Sequence, residues 1–296
     1  MEISICSSYF LKTREANRWR SPEEVIRYCS EAGFRVLDFN PYIYNDDTWE
    51  QEIDRVMNAA AKYGVVIEQS HALANFYPRA PKEWFVKMLD RCAEAAVRMQ
   101  IKDLVFHADE YYPAKGEPFD TDAALIQVCD VLAPSVEKLV KGGVRAAMET
   151  VFEDHYGVPK DQRSHFCGDI EELAAVIDRF NDPMVGCCWD FGHARIGVGD
   201  KNHADMIRRF GKKIFCTHVH DNVGYLRTDL HLPPFMGDIK WEEIMPALKE
   251  AGYEGSLTFE LAYGAFPDDK VTEYAKELYH TGEVLVKMFE GSQKED

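Results

Sequence analysis

Ile214–Trp241, IFCTHVHDNVGYLRTDLHLPPFMGDIKW, opens as a buried strand and ends in polar chemistry. His218 and His220 alternate around Val219, so their imidazoles share one face of the strand. Asp221 follows, then a polar loop with Asp229 and His231, a Gly237-Asp238 turn and a new helix from Trp241. Five metal-competent side chains (His218, His220, Asp221, Asp229, His231) thus fall within fourteen residues. A surface His or Asp making a local hydrogen bond explains any one of them but explains the cluster poorly. Neutral imidazole with carboxylate is the usual ligand set of a catalytic divalent metal.

On either side of this stretch, strand and helix alternate along the chain. Strands are expected at 2–7, 36–40, 65–70, 103–107, 145–151, 185–191, 213–220 and 256–261. Helices are expected from Ser21 onward and near 48–63, 82–99, 121–141, 169–180, 201–211, 241–251 and 268–289. Ser21-Pro22-Glu23-Glu24 is a helix start, with an N-cap, a proline at N1 and acids in the first turn. Gly33, Gly64, Gly142 and Gly252 stand where helices end. Strand centres such as LVF and VGCCW are nearly all apolar, as in a parallel sheet covered by helices. Eight strands, each followed by a helix, make an α/β fold of the (β/α)8 TIM-barrel type. A doubly wound open sheet is disfavoured because no Gly-rich phosphate loop follows the first strand. With no composition break or linker, residues 1–296 read as a single barrel domain with an acidic tail from about 290.

Composition bounds the function. Lys and Arg number 34 against 51 Asp and Glu, a formal charge of −17, and no basic run appears, so a nucleic-acid partner is not expected. No apolar run is long enough for a membrane span, and MEISICSSYF reads as a strand and not a signal peptide. The eight cysteines show no CxxC spacing and sit in apolar segments, as buried reduced thiols do. A cytoplasmic protein is expected, with oligomeric state open.

In such barrels chemistry lies at the C-terminal ends of the strands. There the sequence places His71, His107, Glu149 and Asp190 with His193, then His218 and His220, and finally Glu260. Glu149 and Glu260 lie within otherwise apolar strands, where an unpaired carboxylate is too costly, so each must meet a cation. Asp190 is read the same way. His193 could contact a substrate or bond to Asp190. His71 and His107 could touch a ligand or satisfy backbone groups. Arg195 and Arg227 are candidate anchors for a phosphate or carboxylate of the substrate.

Together, Glu149 (MET), Asp190-x-x-His193 (DFGH), His218-x-x-Asp221 (HVHD), Asp229-x-His231 with Gly237-Asp238 (DLHLPPFMGD) and Glu260 (TFEL) resemble the xylose isomerase-like barrel superfamily. That group includes ketose 3-epimerases, hydroxypyruvate isomerase, inosose dehydratase and an apurinic/apyrimidinic endonuclease branch. The resemblance covers nearly the whole chain; its motifs are specific for the superfamily and do not name the reaction. It implies that Glu149, Asp190, His218 and Glu260 hold one divalent ion, with His193 contacting substrate. His218 fits the H-x-x-D spacing, which leaves His220 for substrate, although either imidazole remains a candidate ligand. The DNA-repair branch uses additional ligands for a multi-metal cluster, and His71, His107, His193, Asp229 and His231 match those positions in outline. The acidic charge points away from DNA.

The expectation is therefore a divalent-metal-dependent isomerase or epimerase of a sugar or sugar phosphate. Mn2+ is favoured, with Co2+, Zn2+ or Mg2+ as alternatives. Glu149 and Glu260 would move the proton through an enediolate. The alternative is a metal-dependent carbohydrate lyase, an inosose-type dehydratase or a C-glycoside-cleaving enzyme; an apurinic/apyrimidinic endonuclease comes last.

Overall fold

The computed structural model describes residues 1–10, 19–74, 81–109, 111, 118–152, 166–197, 202–226, 228–261 and 267–291. Eight parallel strands close into a barrel in chain order: β1 (Ile3–Cys6), β2 (Val36–Asp38), β3 (Val66–His71), β4 (Asp103–His107), β5 (Arg145–Glu149), β6 (Val185–Asp190), β7 (Ile214–Val219) and β8 (Leu257–Phe259). Helices α1 (Pro22–Ala32), α2 (Trp49–Tyr63), α3 (Lys82–Met99), α4 (Thr121–Gly142) and α5 (Ile170–Phe180) follow the first five strands. Then come α6 (Phe191–Gly197), α7 (His203–Phe210), α8 (Trp241–Glu250) and α9 (Val271–Glu290). The fold is the expected (β/α)8 barrel.

Local chemistry sets the element ends. Ser21 Oγ accepts from the Glu24 N–H at 3.3 Å, and Ser21 N–H donates back to Glu24 Oε2 at 2.9 Å, a reciprocal cap on α1. Gly142, expected beyond the fourth helix, is its last residue; Gly143, at φ 76°, takes the left-handed cap instead. The sixth strand stops one residue earlier than expected because a short unforeseen helix, α6, begins at Phe191. Asp190 Oδ1 accepts the His193 N–H at 2.6 Å, the bond an N-cap makes.

The main core lies between the sheet and its helices, around buried Trp189, Trp241, Phe106 and Phe259. A separate small cluster of Val105, Ala147, Cys188 and Cys216 fills the inside of the barrel. All eight cysteines are buried free thiols. Among the described residues no helix is long and apolar enough to cross a membrane. Because strand side chains alternate, the inward set that includes Val105, Ala147 and Cys188 also carries His107, Glu149 and Asp190 two residues further on, at the C-terminal rim.

Candidate metal centre

Each rim residue owes its place to a strand end. His71, His107, Glu149 and Asp190 close β3 to β6, His218 lies inside β7, and His220 and Glu260 come just after β7 and β8. Asp229 and His231 arrive from the loop after β7. Glu149, Asp190, His218 and Glu260 each offer a ligand atom within 4.8 Å of the others. His218 Nδ1 lies 3.3 Å from Glu149 Oε1, 3.8 Å from Asp190 Oδ2 and 3.4 Å from Glu260 Oε2. His71, His107 and Glu149 form a second such group, with the two Nε2 atoms 2.8 and 3.2 Å from Glu149 Oε2. Glu149 thus turns one oxygen to each group.

The third group is His193, His220, Asp229 and His231. Asp229 Oδ2 lies 3.3 Å from His193 Nε2 and 2.5 Å from His231 Nε2. His220 stacks on His231 with centroids 4.0 Å apart and lies 2.9 Å from Asp190 Oδ1 through Nε2. Gly192 makes room for it, since a Cβ there would overlap the His220 ring.

The donor set leaves some of its buried atoms unsatisfied. Among the described residues, the buried side-chain N and O atoms without a hydrogen-bond partner are the Ser4 and Ser7 hydroxyls, His107 Nδ1, Asp109 Oδ1, Glu149 Oε1, His218 Nδ1 and His220 Nδ1. Orphaned polar atoms are costly and few per protein, so five at one barrel mouth call for a ligand. Carboxylate and imidazole atoms converging in this way fit a divalent ion.

The electrostatics agree. Burial should raise Glu149, yet His218 and His107 hold it well below the usual carboxylate range. Against burial, His193 and His220 likewise lower Asp190, and His193 and His231 lower Asp229. Burial opposes charge on His107, but Glu149 lifts it to about 9; Asp229 and Glu260 lift His231 to about 9 against the same opposition. His193 and His218 are raised well above the ordinary value despite burial, chiefly by Asp190 and Glu260 respectively. Protons therefore balance negative charge where a cation would sit, and a metal would displace them.

The supporting residues were harder to foresee. Gln69 Nε2 donates to Asp38 Oδ2 at 2.8 Å and lies 2.7 Å from His218 Nε2, bracing the ring with Nδ1 toward the mouth. Asp38 had a readable signal, an acid in an apolar strand, the same argument that picks out Glu149. Asp221, counted in the sequence among metal-competent side chains, belongs to none of the three groups. Its carboxylate accepts N–H bonds from Asn222, Phe235, Ile239 and Trp241 Nε1 at 2.9–3.1 Å. Four donors consume it as a brace for the loop that delivers Asp229 and His231. Arg195, a candidate substrate anchor, is instead paired with Asp238 at 2.8 and 3.1 Å. Arg227, the other anchor, lies outside the described residues.

A family model described as xylose isomerase-like TIM barrel matches residues 26–280. The chain belongs to that family. Among xylose isomerase-like structures, it resembles a xylose isomerase domain protein from Alicyclobacillus acidocaldarius, with a TM-score of 0.75 and 18% identity over 98% of this chain and 100% of that one. It also resembles L-ribulose 3-epimerase, with a TM-score of 0.71, 17% identity and both chains fully covered. These likenesses show the fold. In sequence it is 29% identical to an inosose isomerase of Halalkalibacterium halodurans over 154 residues, 50% of either chain. It spans about half the length of that relative, and 52% of an uncharacterized protein of Sinorhizobium fredii to which it is 25% identical.

Proposed function

We propose that this chain is a divalent-metal-dependent isomerase or epimerase of keto-sugars or related polyol ketones. The convergence of Glu149, Asp190, His218 and Glu260 on one point at the barrel mouth carries this reading. The similarity to an inosose isomerase supports the substrate class, since an inosose is a polyol ketone. When bound, the metal would act as a Lewis acid toward adjacent carbonyl and hydroxyl oxygens, with Mn2+ favoured by the oxygen-rich set and Co2+, Zn2+ or Mg2+ as alternatives.

The chain's own groups would do the rest. Glu149 and Glu260 approach His218 Nδ1 from β5 and from the end of β8, so they flank a substrate lying between them. One carboxylate removes the proton next to the carbonyl and the other returns it, on the opposite face for epimerisation or at the neighbouring carbon for isomerisation. His193, whose backbone is fixed by Asp190 and whose ring faces Glu149 and Asp229, orients substrate oxygens. Solvent deuterium entering a ketose at the carbon beside its carbonyl tests this reading; absence of exchange with every keto-sugar and every metal would overturn it. A lyase shares the first proton abstraction and would release an unsaturated or cleaved product.

One observation favours a second reading. Three metal-competent groups, two of them sharing Glu149, suit a polynuclear phosphodiester hydrolase of the apurinic/apyrimidinic endonuclease type. Nicking of an abasic duplex together with three ions bound per chain would select it. The charge of −17 is the counterweight, since DNA binding needs a cationic surface.

A further inference from the structure

Beside the metal-competent groups the mouth opens into a pocket of about 290 Å3. Ligand pockets run from roughly 300 to 1,000 Å3, so this one suits a molecule the size of a single sugar. His71, His107 and Glu260 form its inner edge, while Ile43, Tyr44 and Leu73 supply an apolar wall. Tyr44 is held by stacking on Trp84, with centroids 6.4 Å apart at 9°, and by an edge contact with Tyr42 at 5.2 Å.

Asn40, two residues beyond Asp38, also lines this pocket. Its Oδ1 accepts the backbone N–H of His71 at 2.6 Å and the Ser70 hydroxyl at 3.1 Å. A backbone N–H can only donate, so the atom facing it must be the amide oxygen. The opposite corner of the amide is therefore Nδ2, with two N–H donors and no protein partner among the described residues. The acceptor side of Asn40 is fixed to the strand that carries His71, and its donor side is left for something else.

We propose that Asn40 is a specificity-determining residue that reads a hydroxyl or ring oxygen at the non-reacting end of the substrate, and that this substrate is unphosphorylated. The proposal rests on the keto-sugar reading of the mouth. Neutral N–H donors match sugar oxygens, and the apolar wall matches a sugar's C–H face. A phosphate dianion in the same pocket would meet the Glu260 carboxylate and neither lysine nor arginine among the described residues that line it, while the His71 and His107 imidazoles at the inner edge turn their Nε2 atoms to Glu149.

The test measures deuterium wash-in from solvent with the Mn2+-loaded protein and D-fructose, D-tagatose or D-fructose 6-phosphate. The wild type should exchange free ketoses at least about tenfold more efficiently, in kcat/KM, than the phosphate ester. Asn40→Asp keeps an oxygen for His71 and Ser70 but offers no N–H. It should raise KM about tenfold, the worth of one well-placed hydrogen bond, with a smaller change in kcat and unchanged metal content and melting temperature. A preference for the phosphate ester, or a correctly folded Asn40→Asp protein with wild-type KM, would overturn the proposal. The wild-type preference decides the substrate class even if the variant folds poorly. If no sugar exchanges at all, the isomerase reading fails. Calorimetric binding of D-fructose to the wild type and the variant still tests Asn40: weakened binding supports its role, and equal binding refutes it.

Discussion

At the N-terminal end of the barrel a cavity of about 540 Å3 is lined by Glu68, Lys102, Asp103, Arg145 and Lys212; at the C-terminal end the pocket beside the acids and imidazoles is about 290 Å3. The larger cavity keeps its buried charge in balance. Arg145 donates to both oxygens of Asp103, each at 2.7 Å, while Glu68 pairs with Lys102 and accepts from the Ser256 hydroxyl at 2.8 Å. The smaller one is lined by His71, His107 and Glu260, and beside it Glu149, Asp190 and His218 converge with Glu260 and leave buried polar atoms without partners. Volume therefore does not mark the working end of this barrel. Unsatisfied chemistry does, because it is tolerated only where a ligand repays its cost.

The sharpest contrast between the two ends should come from single carboxylates. Glu149→Gln at the C-terminal mouth should lower turnover about 10^3-fold, the scale of a lost general acid or base. Steady-state kinetics on whichever ketose exchanges deuterium would show it, with circular dichroism confirming the fold. Asp103→Asn at the other end should do the reverse. Leaving the partly exposed Arg145 without its anion should cost about 1–2 kcal/mol of stability in denaturant unfolding, with kcat of the folded protein unaltered. If Asp103→Asn lost activity while keeping its stability, the division of labour proposed for the two ends would be wrong.

Smaller effects probe the C-terminal mouth itself. Gly192→Ala would push His220 away from Asp190. Metal affinity or activity should fall about 10- to 100-fold, as when an outer partner of a ligand is lost. Isothermal titration with Mn2+ would measure it. The least drastic test is pH. His107 and His231 rise from 6.5 to about 9 in the metal-free protein, so their stabilisation is complete below pH 6.5 and is lost as pH climbs through about 9. A cation bound among the neighbouring carboxylates repels those protons, so its affinity should increase as they leave over the same interval. Scanning melting temperature against pH, with and without Mn2+, should give a metal-free curve that falls and a metal-dependent increment that grows. An increment that shrinks with pH would contradict the ligand set.

The same cost of burying charge makes part of the fold and site legible in the sequence. The strand count, and acids or imidazoles after Phe106, Met148, Trp189 and Phe259, were legible because each interrupts an apolar run where burial is expensive. Spacing counts Asp221 as metal-competent because it records which residues are near a site and not where their side chains turn; the N–H groups of Asn222, Phe235 and Ile239 around that carboxylate show it spent on backbone donors. Asn40 and Gln69 carried no signal, for a neutral amide at a strand end looks the same whether it faces solvent, a neighbour or a ligand. The grouping of His193 and His220 with Asp229 and His231 depends on α6 starting straight after Asp190, a turn that periodicity does not encode.

The central claim is that Glu149, Asp190, His218 and Glu260 share a divalent cation. Metal analysis and calorimetry of protein stripped by chelator and reloaded with Mn2+ test it directly, comparing wild type with Asp190→Asn and His218→Ala. The account predicts stoichiometric, saturable binding in the wild type and loss of that ion in both variants. Wild-type protein that takes up no Mn2+, Co2+, Zn2+ or Mg2+, or variants that bind as the wild type does, would contradict it.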